Sequence, residues 1–372
     1  MSDLKLCPFC GGDKIETVFK GAMPIYLSAL PMELSVRNKI RPIKIALCRR
    51  CSLGFNQSPL ESQTLNDIYD NYMYIDPFNN IGDTPFVHII DMIAKHSRMD
   101  DKVVEIGSSV GFLLHSLHKR GYTNLLGVDP SPQSEYAAMR GLNIRKKYYD
   151  SDDFDNDVDL FILRHVFEHF EDPFAVFKNM VSHINGGGKI IIETPYFGGF
   201  HHQHLFFYSR LFYANLASAF GLSVIDYKIY DGNIIAAFSK RKRGERNSLC
   251  CESVEELAQK ARSERERLDR NVQRIKDFLS LRDVIYWWGT GSFSSILLSE
   301  LTSLRGKQII PVDTDHNRKG MSLANLSTLV LCADDLIGLK PDALAIASSL
   351  REEIKNAMRA RNISPKAILE FD

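Results

Sequence analysis

The sequence lacks the features that would place a protein in a membrane or on a polyanion. Among its 372 residues no apolar run approaches the roughly 20 residues that a membrane-spanning helix needs. Lysine plus arginine and aspartate plus glutamate number 46 each, so no net charge recruits nucleic acid or an anionic membrane. The opening residues, Met1 to Lys5, are polar and unlike a signal peptide. We therefore expect a cytoplasmic protein whose partners include neither nucleic acid nor a membrane.

Cysteine is scarce and odd in number, which disfavours a disulfide framework. Four of the seven cysteines form two C-x-x-C pairs separated by 37 residues: Cys7, Cys10, Cys48 and Cys51. Four thiolates complete the tetrahedral shell that zinc prefers, and such a closed site leaves no position for a substrate. The spacing predicts a zinc-ribbon module over residues 1–60 with a structural zinc ion. The alternative is a set of four buried or redox-active thiols.

The chain is long for one hydrophobic core, so two or three folding units are expected. Apolar strands alternate with helical stretches, which predicts an α/β fold with a mostly parallel, doubly wound sheet over residues 61–245. Residues 61–98 form its helical lead-in, and a strand at Ile234–Phe238 is expected to return at an edge. A capped helical pattern predicts a connector over residues 246–282. A second βα series over residues 283–372 predicts a smaller Rossmann-like domain.

The first strand of this sheet ends in a glycine loop that opens a helix, from Val103 to Gly111. Gly107 and Gly111 allow a ligand to approach the backbone at the carboxyl end of the strand, with Glu105 beneath. Asp129 ends the next strand, where a carboxylate can accept hydrogen bonds from both ribose hydroxyls. The pattern E-x-G-x-x-x-G differs from the G-x-G-x-x-G of dinucleotide-binding proteins, which favours a methyl donor over NAD.

Four features occur in order along residues 90–240: the glycine loop, Asp129, the segment from Asp159 to His169, and the strand from Gly186 to Glu193. Together they resemble the class I S-adenosylmethionine-dependent methyltransferases. The resemblance implies S-adenosylmethionine as the methyl donor. It places Gly107, Ser109 and Gly111 along the donor, Asp129 on its ribose and His165 near its sulfonium.

The order of the modules resembles more narrowly the sugar C-methyltransferases, which methylate nucleotide-linked keto-deoxysugars. The motifs that carry this resemblance are the four cysteines, the tyrosine-rich segment Leu65–Tyr74, Glu193-Thr-Pro-Tyr196 and the loop Trp288–Ser292. In that family the acceptor lies between the methyltransferase and tail domains. The sequence departs from the family at His201-His-Gln-His204, where Gln203 occupies the position expected for glutamate.

C-methylation requires a base for the carbon-bound proton, whereas O-methylation requires a base for a hydroxyl. Histidine suits either task because its pKa lies near neutrality. We take His204 as the first and His202 as the second candidate, while His201 and Gln203 are expected to contact the acceptor. The three histidines are alternatively hydrogen-bonding residues or metal ligands. Tyr72 and Tyr74 are candidates for hydroxyl donors to the acceptor, or else packing residues.

The tail contains a phosphate-sized turn with Gly289 and Gly291 before a helix, and Asp313 ends the next strand. These residues are predicted to hold part of a nucleotide sugar. The third glycine of the dinucleotide motif is missing, and the alternative is a domain used for packing or dimerisation. The leading hypothesis is methyl transfer to a nucleotide-linked sugar, at carbon or oxygen, by a monomer or homodimer. A binding scaffold without catalysis and a nicotinamide-dependent oxidoreductase are the competing hypotheses.

Overall fold

The structure is a computed structural model that describes residues 3–71, 86–149, 154, 157–241, 252–301, 306–324, 326–348 and 350–371. The strands are, in chain order, β1 Ile15–Pro24, β2 Ala29–Leu30, β3 Ile40–Cys48, β4 Gly54–Asn56, β5 Val103–Ile106, β6 Leu125–Val128, β7 Ile144–Arg145, β8 Val158–Arg164, β9 Ile184–Pro195, β10 Phe206–Phe207, β11 Leu222–Tyr230, β12 Asn233–Lys240, β13 Val284–Trp288, β14 Gln308–Asp313, β15 Ser322–Leu323, β16 Leu331–Cys332, β17 Ala343–Ile346 and β18 Ala367–Glu370. The α-helices are α1 Met32–Ser35, α2 Ser62–Asp70, α3 Val87–His96, α4 Phe112–Lys119, α5 Ser134–Met139, α6 Pro173–His183, α7 Arg210–Ala219, α8 Val254–Ser280, α9 Ser292–Ser299 and α10 Arg351–Ala360. Short 3₁₀ turns lie at Phe167–His169, His316–Arg318 and Ala333–Leu336.

The chain divides into two compact units, and each is described by itself. Residues 1–18 and 45–261 form the first unit, and residues 19–44 and 262–372 form the second. The division falls within β1, β3 and α8. It differs from the boundaries expected from the sequence, because residues 19–44 belong to the second unit rather than to the cysteine module.

The first unit is built on a seven-stranded sheet of order β11-β12-β9-β8-β5-β6-β7. Strands β5, β6, β7, β8 and β9 pair in parallel, as the alternation of strands and helices predicted. All four residues of β5 are buried, which is typical of a strand whose sheet is covered on both faces. Apolar residues of α3, α4 and the sheet form a continuous core, including Ile93, Leu117 and Ile162. The predicted Rossmann-like α/β fold is confirmed.

Strand β12 is not an edge strand, and that expectation was wrong. It pairs antiparallel with β9 on one side and with β11 on the other. Its residues Ile234–Phe238 are all buried, whereas Ile225 and Ile229 on β11 are exposed. The uninterrupted apolar run of β12 therefore indicates an interior strand, and β11 forms the edge.

Helix ends in the first unit follow the capping chemistry of the sequence. The Asp172 carboxylate accepts from the Ala175 amide and Pro173 occupies the first turn of α6. The Ser253 hydroxyl accepts from the Glu256 amide, and the Glu256 carboxylate accepts from the Ser253 amide, which forms a capping box before α8. The long helix predicted for the connector is confirmed at Val254–Ser280.

The second unit contains a five-stranded parallel sheet of order β16-β14-β13-β17-β18. Strand β2 pairs antiparallel with β15 in this unit. The Ala29 amide donates to the Thr290 carbonyl at 2.9 Å, and the Ser28 amide donates to the Ser295 hydroxyl at 2.9 Å. These bonds attach residues 19–44 to the sheet and explain why they group with the tail.

Within the part of the chain that the structure describes, no helix has the length and apolar character required to cross a bilayer.

Candidate functional site

The loop after β5 adopts a left-handed backbone at three positions, Gly107, Ser109 and Gly111. A Cβ added to Gly107 would lie 2.2 Å from Cγ2 of Val166, and one added to Gly111 would lie 2.5 Å from Cδ1 of Leu142. Both glycines are therefore required for the loop to pack against its own chain. The two glycines thus have a packing role in addition to the role expected from the sequence, which is to let a ligand approach the backbone.

Asp129 joins the two loops at the carboxyl ends of β5 and β6. Its Oδ2 accepts from the Ser109 amide at 2.7 Å, and its Oδ1 accepts from the Ser131 amide at 2.8 Å. The Ser131 hydroxyl donates to the same carboxylate. Each carboxylate oxygen can accept about two hydrogen bonds. Because Oδ1 already accepts twice from Ser131, one acceptor position on Oδ2 remains for a ribose hydroxyl.

Glu105 is buried on β5, and its Oε2 has no hydrogen-bond partner among the described residues. Burial raises the pKa of Glu105 well above its usual range, Asp129 adds to the rise, and Arg164 opposes it. A buried carboxyl with an unused oxygen, beneath the glycine loop, provides a position for a hydrogen-bond donor of a ligand.

His165 follows β8 with a left-handed φ of 50° and lies between two buried carboxylates. Its Nε2 is 3.1 Å from Oε1 of Glu193, and its Nδ1 is 3.5 Å from Oε1 of Glu168. Burial opposes the charge of His165, but the two carboxylates outweigh it and raise its pKa to about 9. His165 is therefore a cation at neutral pH.

Glu193 lies in the buried part of β9 and is held as a carboxylate. Burial opposes its ionisation, yet His165, Arg164 and the Tyr230 hydroxyl together lower its pKa. The Tyr230 hydroxyl donates to Oε1 of Glu193 at 2.7 Å. The Arg164 Nε lies 3.4 Å from the same oxygen. The charge of Glu193 is thus compensated from three sides.

The predicted histidine cluster lies in the loop between β9 and β10. The His204 Nδ1 is 2.8 Å from the Gly199 carbonyl, so this nitrogen carries the proton and Nε2 is left as an acceptor. The rings of His201 and His204 are 3.7 Å apart between centroids. Burial lowers the pKa of His201 to about 3 and that of His204 well below its usual range. His202 is also buried. Both His201 and His204 are therefore neutral bases at pH 7.

Glu168 and His169, which the sequence argument did not place in the site, lie beside His204. Glu168 is 1% exposed, and its Oε1 lies 4.0 Å from Nε2 of His204. The His169 Nδ1 is 2.9 Å from the Gln203 carbonyl and 3.0 Å from the Tyr69 hydroxyl. Burial lowers the pKa of His169. The acidic residue between Phe167 and His169, in a turn that directly follows a buried strand, was the signal in the sequence for Glu168.

The structure thus brings the predicted donor residues and the histidine cluster into one unit. Glu105, Gly107, Ser109, Gly111, Asp129 and His165 follow or end the parallel strands β5, β6 and β8, at the edge of the sheet where such folds bind ligands. The residues 201–204 follow β9 on the same sheet. Tyr72 and Tyr74 lie outside the described residues.

The four predicted zinc ligands converge. Their sulfur atoms all lie within 4.8 Å of one another, with Cys7 and Cys51 at 3.5 Å and Cys10 and Cys48 at 3.6 Å. Tetrahedral bonds of about 2.3 Å place sulfur atoms about 3.8 Å apart, so the arrangement fits zinc. Hydrogen bonding from the Cys51 thiol lowers the pKa of Cys7 to about 5 despite burial. Residues with a left-handed backbone, Gly11 and Ser52, follow the two pairs.

Two further groups of potential metal ligands occur among the described residues. They are Glu168 with His169 and His204, and His316 with Cys332 and Asp334. In the second group, Asp334 accepts from the Arg361 guanidinium at 2.7 Å, which competes with a metal.

The predicted turn of the tail lies within the second unit. A Cβ on Gly289 would lie 2.6 Å from the Ala347 carbonyl oxygen, so this glycine is required by the packing of neighbouring strands. Asp313 accepts from the Thr290 amide at 3.2 Å, and Arg318 donates to the Thr290 carbonyl at 3.0 Å. Asp313 therefore binds the turn that contains Gly291, much as Asp129 binds the loop of the first unit.

The model of a family described as methyltransferase domain matches residues 84–227, which contain the donor loop, Asp129 and the histidine cluster. No curated protein matches the sequence.

Among solved structures, an S-adenosylmethionine-dependent methyltransferase from Mesorhizobium loti is 12% identical, with a TM-score of 0.36, over 43% of this chain and 98% of its own. Geranyl diphosphate C-methyltransferase from Streptomyces coelicolor is 14% identical, with a TM-score of 0.37, over 50% of this chain and 86% of its own. Magnesium protoporphyrin IX methyltransferase from Synechocystis, with bound S-adenosylmethionine, is 13% identical, with a TM-score of 0.38, over 50% of this chain and 99% of its own.

Proposed function

We propose that this S-adenosylmethionine-dependent methyltransferase methylates a nucleotide-linked sugar, at a ring carbon beside a ketone or at a hydroxyl oxygen. The observation that carries the proposal is His204, a buried neutral imidazole whose Nδ1 is fixed by the Gly199 carbonyl. Its free Nε2 is a proton acceptor in the same unit as the donor loop. The arrangement of modules in the sequence, which resembles the sugar C-methyltransferases, supports a sugar as the acceptor.

The donor is proposed to lie along the loop with Gly107, Ser109 and Gly111. Asp129 accepts a hydrogen bond from its ribose, and Glu105 accepts from its amino group directly or through water. His165 lies near the sulfonium end, where its charge is compensated by Glu168 and Glu193. This assignment uses the one carboxylate oxygen of Glu105 that has no other partner among the described residues.

The reaction requires alignment and removal of one proton, because the sulfonium already activates the methyl group. The bond from sulfur to methyl breaks as the bond from methyl to the acceptor atom forms, and S-adenosylhomocysteine leaves. The acceptor's proton passes to Nε2 of His204, with His202 as the second candidate. His201 and Gln203 contact the acceptor, and Tyr72 and Tyr74 are proposed as hydroxyl donors to it.

Zinc is proposed to bind Cys7, Cys10, Cys48 and Cys51 in a structural role. Four sulfur ligands leave no open position, so the ion would hold the turn at Cys7–Cys10 against the turn between β3 and β4 and supply no catalytic group. In the second unit, Gly289, Gly291 and Asp313 are proposed to hold the nucleotide portion of a sugar nucleotide. The amino end of helix α9 supports this assignment, because backbone amides and the helix dipole favour a diphosphate there.

The test offers nucleotide-linked keto and non-keto sugars, with the corresponding free sugars as controls, and measures release of S-adenosylhomocysteine. Release of S-adenosylhomocysteine above background with the sugar nucleotides, but not with the free sugars, supports the proposal. Replacement His204→Ala is expected to lower kcat about 10²-fold or more, with unchanged affinity for S-adenosylhomocysteine. The matched control is His118→Ala, an exposed histidine on α4. An unchanged rate in His204→Ala removes this residue from the mechanism.

A further inference from the structure

Glu168 is a buried carboxylate that lies beside the imidazolium of His165 and near the histidine cluster. It lies in the 3₁₀ turn Phe167–His169, is 1% exposed, and neither carboxylate oxygen has a hydrogen-bond partner among the described residues. Buried carboxylates ordinarily accept two or three hydrogen bonds, because burial without them is unfavourable. A carboxylate left in this state points to a donor that forms only during the reaction.

The nitrogen that can become this donor is Nε2 of His204. It lies 4.0 Å from Oε1 of Glu168, while Nδ1 of the same ring is bound to the Gly199 carbonyl. The neighbouring side chain in the sequence, Gln203, is neutral and cannot supply a charge. Glu193, the other buried carboxylate beside His165, already accepts from the Tyr230 hydroxyl.

We infer that Glu168 is a positioning residue that stabilises the imidazolium formed when His204 takes the acceptor's proton. The inference rests on the proposed function of His204. In the step, the acceptor's O–H or C–H bond breaks, its proton forms a bond with Nε2, and the methyl group forms a bond with the acceptor atom. The new Nε2–H then donates to Oε1 of Glu168. A shift of the ring by about 1 Å brings this pair into hydrogen-bond distance.

Other charged or titratable groups face the same carboxylate. His165 approaches it within 3.5 Å, and His169 belongs to the same cluster within 4.8 Å. The hydroxyls of Tyr208 and Tyr213 are buried nearby, and the negative charge of Glu168 adds to the rise of both pKa values that burial causes. The ring of His201 lies 3.7 Å from that of His204 between centroids and disfavours its protonation. Two groups oppose these neighbours: the Gly199 carbonyl, which accepts from Nδ1, and the Glu168 carboxylate, whose Oε1 lies 4.0 Å from Nε2.

The decisive variant is Glu168→Gln, which keeps the shape and removes the charge. We expect kcat to fall about 10- to 100-fold, with affinity for S-adenosylhomocysteine within about twofold of the wild type. The acid limb of kcat/KM is expected to move to lower pH by about one unit, because a nearby negative charge no longer favours protonation of His204. Glu168→Asp should recover part of the rate. The control, Glu171→Gln, alters an exposed carboxylate three residues further along the chain. It should change neither kcat nor the acid limb of kcat/KM.

A second measurement needs no acceptor. In the complex with S-adenosylhomocysteine, ¹⁵N-labelled histidine gives the pH at which His204 protonates, with His204→Ala identifying its signal. We expect His204 to become protonated at lower pH in Glu168→Gln than in the wild type. Protonation at the same pH in both proteins, or in neither before unfolding, overturns the inference. If the wild type methylates no sugar nucleotide, the proposed acceptor fails, while this titration still decides the role of Glu168.

Discussion

Replacement of Asp129 by asparagine tests the donor site through one functional group. The carboxylate accepts from the amides of Ser109 and Ser131, one on each oxygen, and both loops face the carboxyl edge of the sheet. Asparagine has the same size but converts one acceptor oxygen into a donor. When the NH₂ group takes the place of Oδ2, the Ser109 amide faces a donor, and the hydrogen bond proposed for a ribose hydroxyl is lost.

The magnitude follows from the bonds that disappear. A hydrogen bond to a charged group contributes about 1.5–3 kcal/mol. Loss of one ribose bond should therefore weaken donor binding about 10- to 150-fold, at 1.4 kcal/mol per factor of ten. Loss of the loop bond should lower the free energy of unfolding by a similar amount, because a buried amide is left unsatisfied.

Calorimetric titration with S-adenosylhomocysteine measures the first effect, and denaturant unfolding measures the second. The matched control is Glu135→Gln, a largely exposed carboxylate on α5 that pairs with Lys146. It should bind the ligand within about twofold of the wild type, because exposed ion pairs contribute little. A folded Asp129→Asn variant that binds within threefold of the wild type would show that Asp129 does not hold the donor.

Three further predictions concern packing, metal and pH. Gly107→Ala should lower the free energy of unfolding about 1–3 kcal/mol more than Gly141→Ala. Both glycines have φ of 76°, but only Gly107 faces Val166. Equal losses of stability in denaturant unfolding would refute the packing argument. Removal of zinc by a chelator should expose the cysteine module to proteolysis, whereas loss of methyl transfer from a chain that stays protected would contradict a structural ion. His165→Gln should destabilise the protein fully below pH 6.5 and progressively less as pH rises through about 9. The raised pKa of His165 contributes stability only while the ring is protonated. If the free energies of unfolding of the variant and the wild type differed by the same amount at every pH, the ion pairs of His165 with Glu168 and Glu193 would be excluded.

The elements that carry the proposed donor site could be predicted from the sequence because they depend on local order. A buried strand, a glycine loop and a helix follow one another between Val103 and Lys119, and the structure has them at those positions. The convergence of the four cysteines was likewise contained in their spacing, since each C-x-x-C pair directs two sulfur atoms to one point.

The remainder depends on contacts between distant residues. Glu168 lies 4.0 Å from His204 because the turn after β8 and the loop after β9 are neighbours in the fold. No local sequence pattern predicts that these two segments are close. Residues 19–44 join the second unit through hydrogen bonds from Ser28 and Ala29 to residues more than 250 positions later. Strand β12 lies inside the sheet and not at its edge, because β11 follows it on the outer side, and that pairing depends on the whole sheet.

S-adenosylmethionine with a ¹³C-labelled methyl group reports directly on the atom that receives the methyl group. The enzyme is incubated with nucleotide-linked keto and non-keto sugars, and the product is examined by carbon NMR. We expect labelled methyl on a sugar, with a chemical shift that identifies attachment to carbon or to oxygen, and loss of that signal in His204→Ala. Tight binding of the donor with no labelled methyl on any sugar would show that the proposed function is wrong.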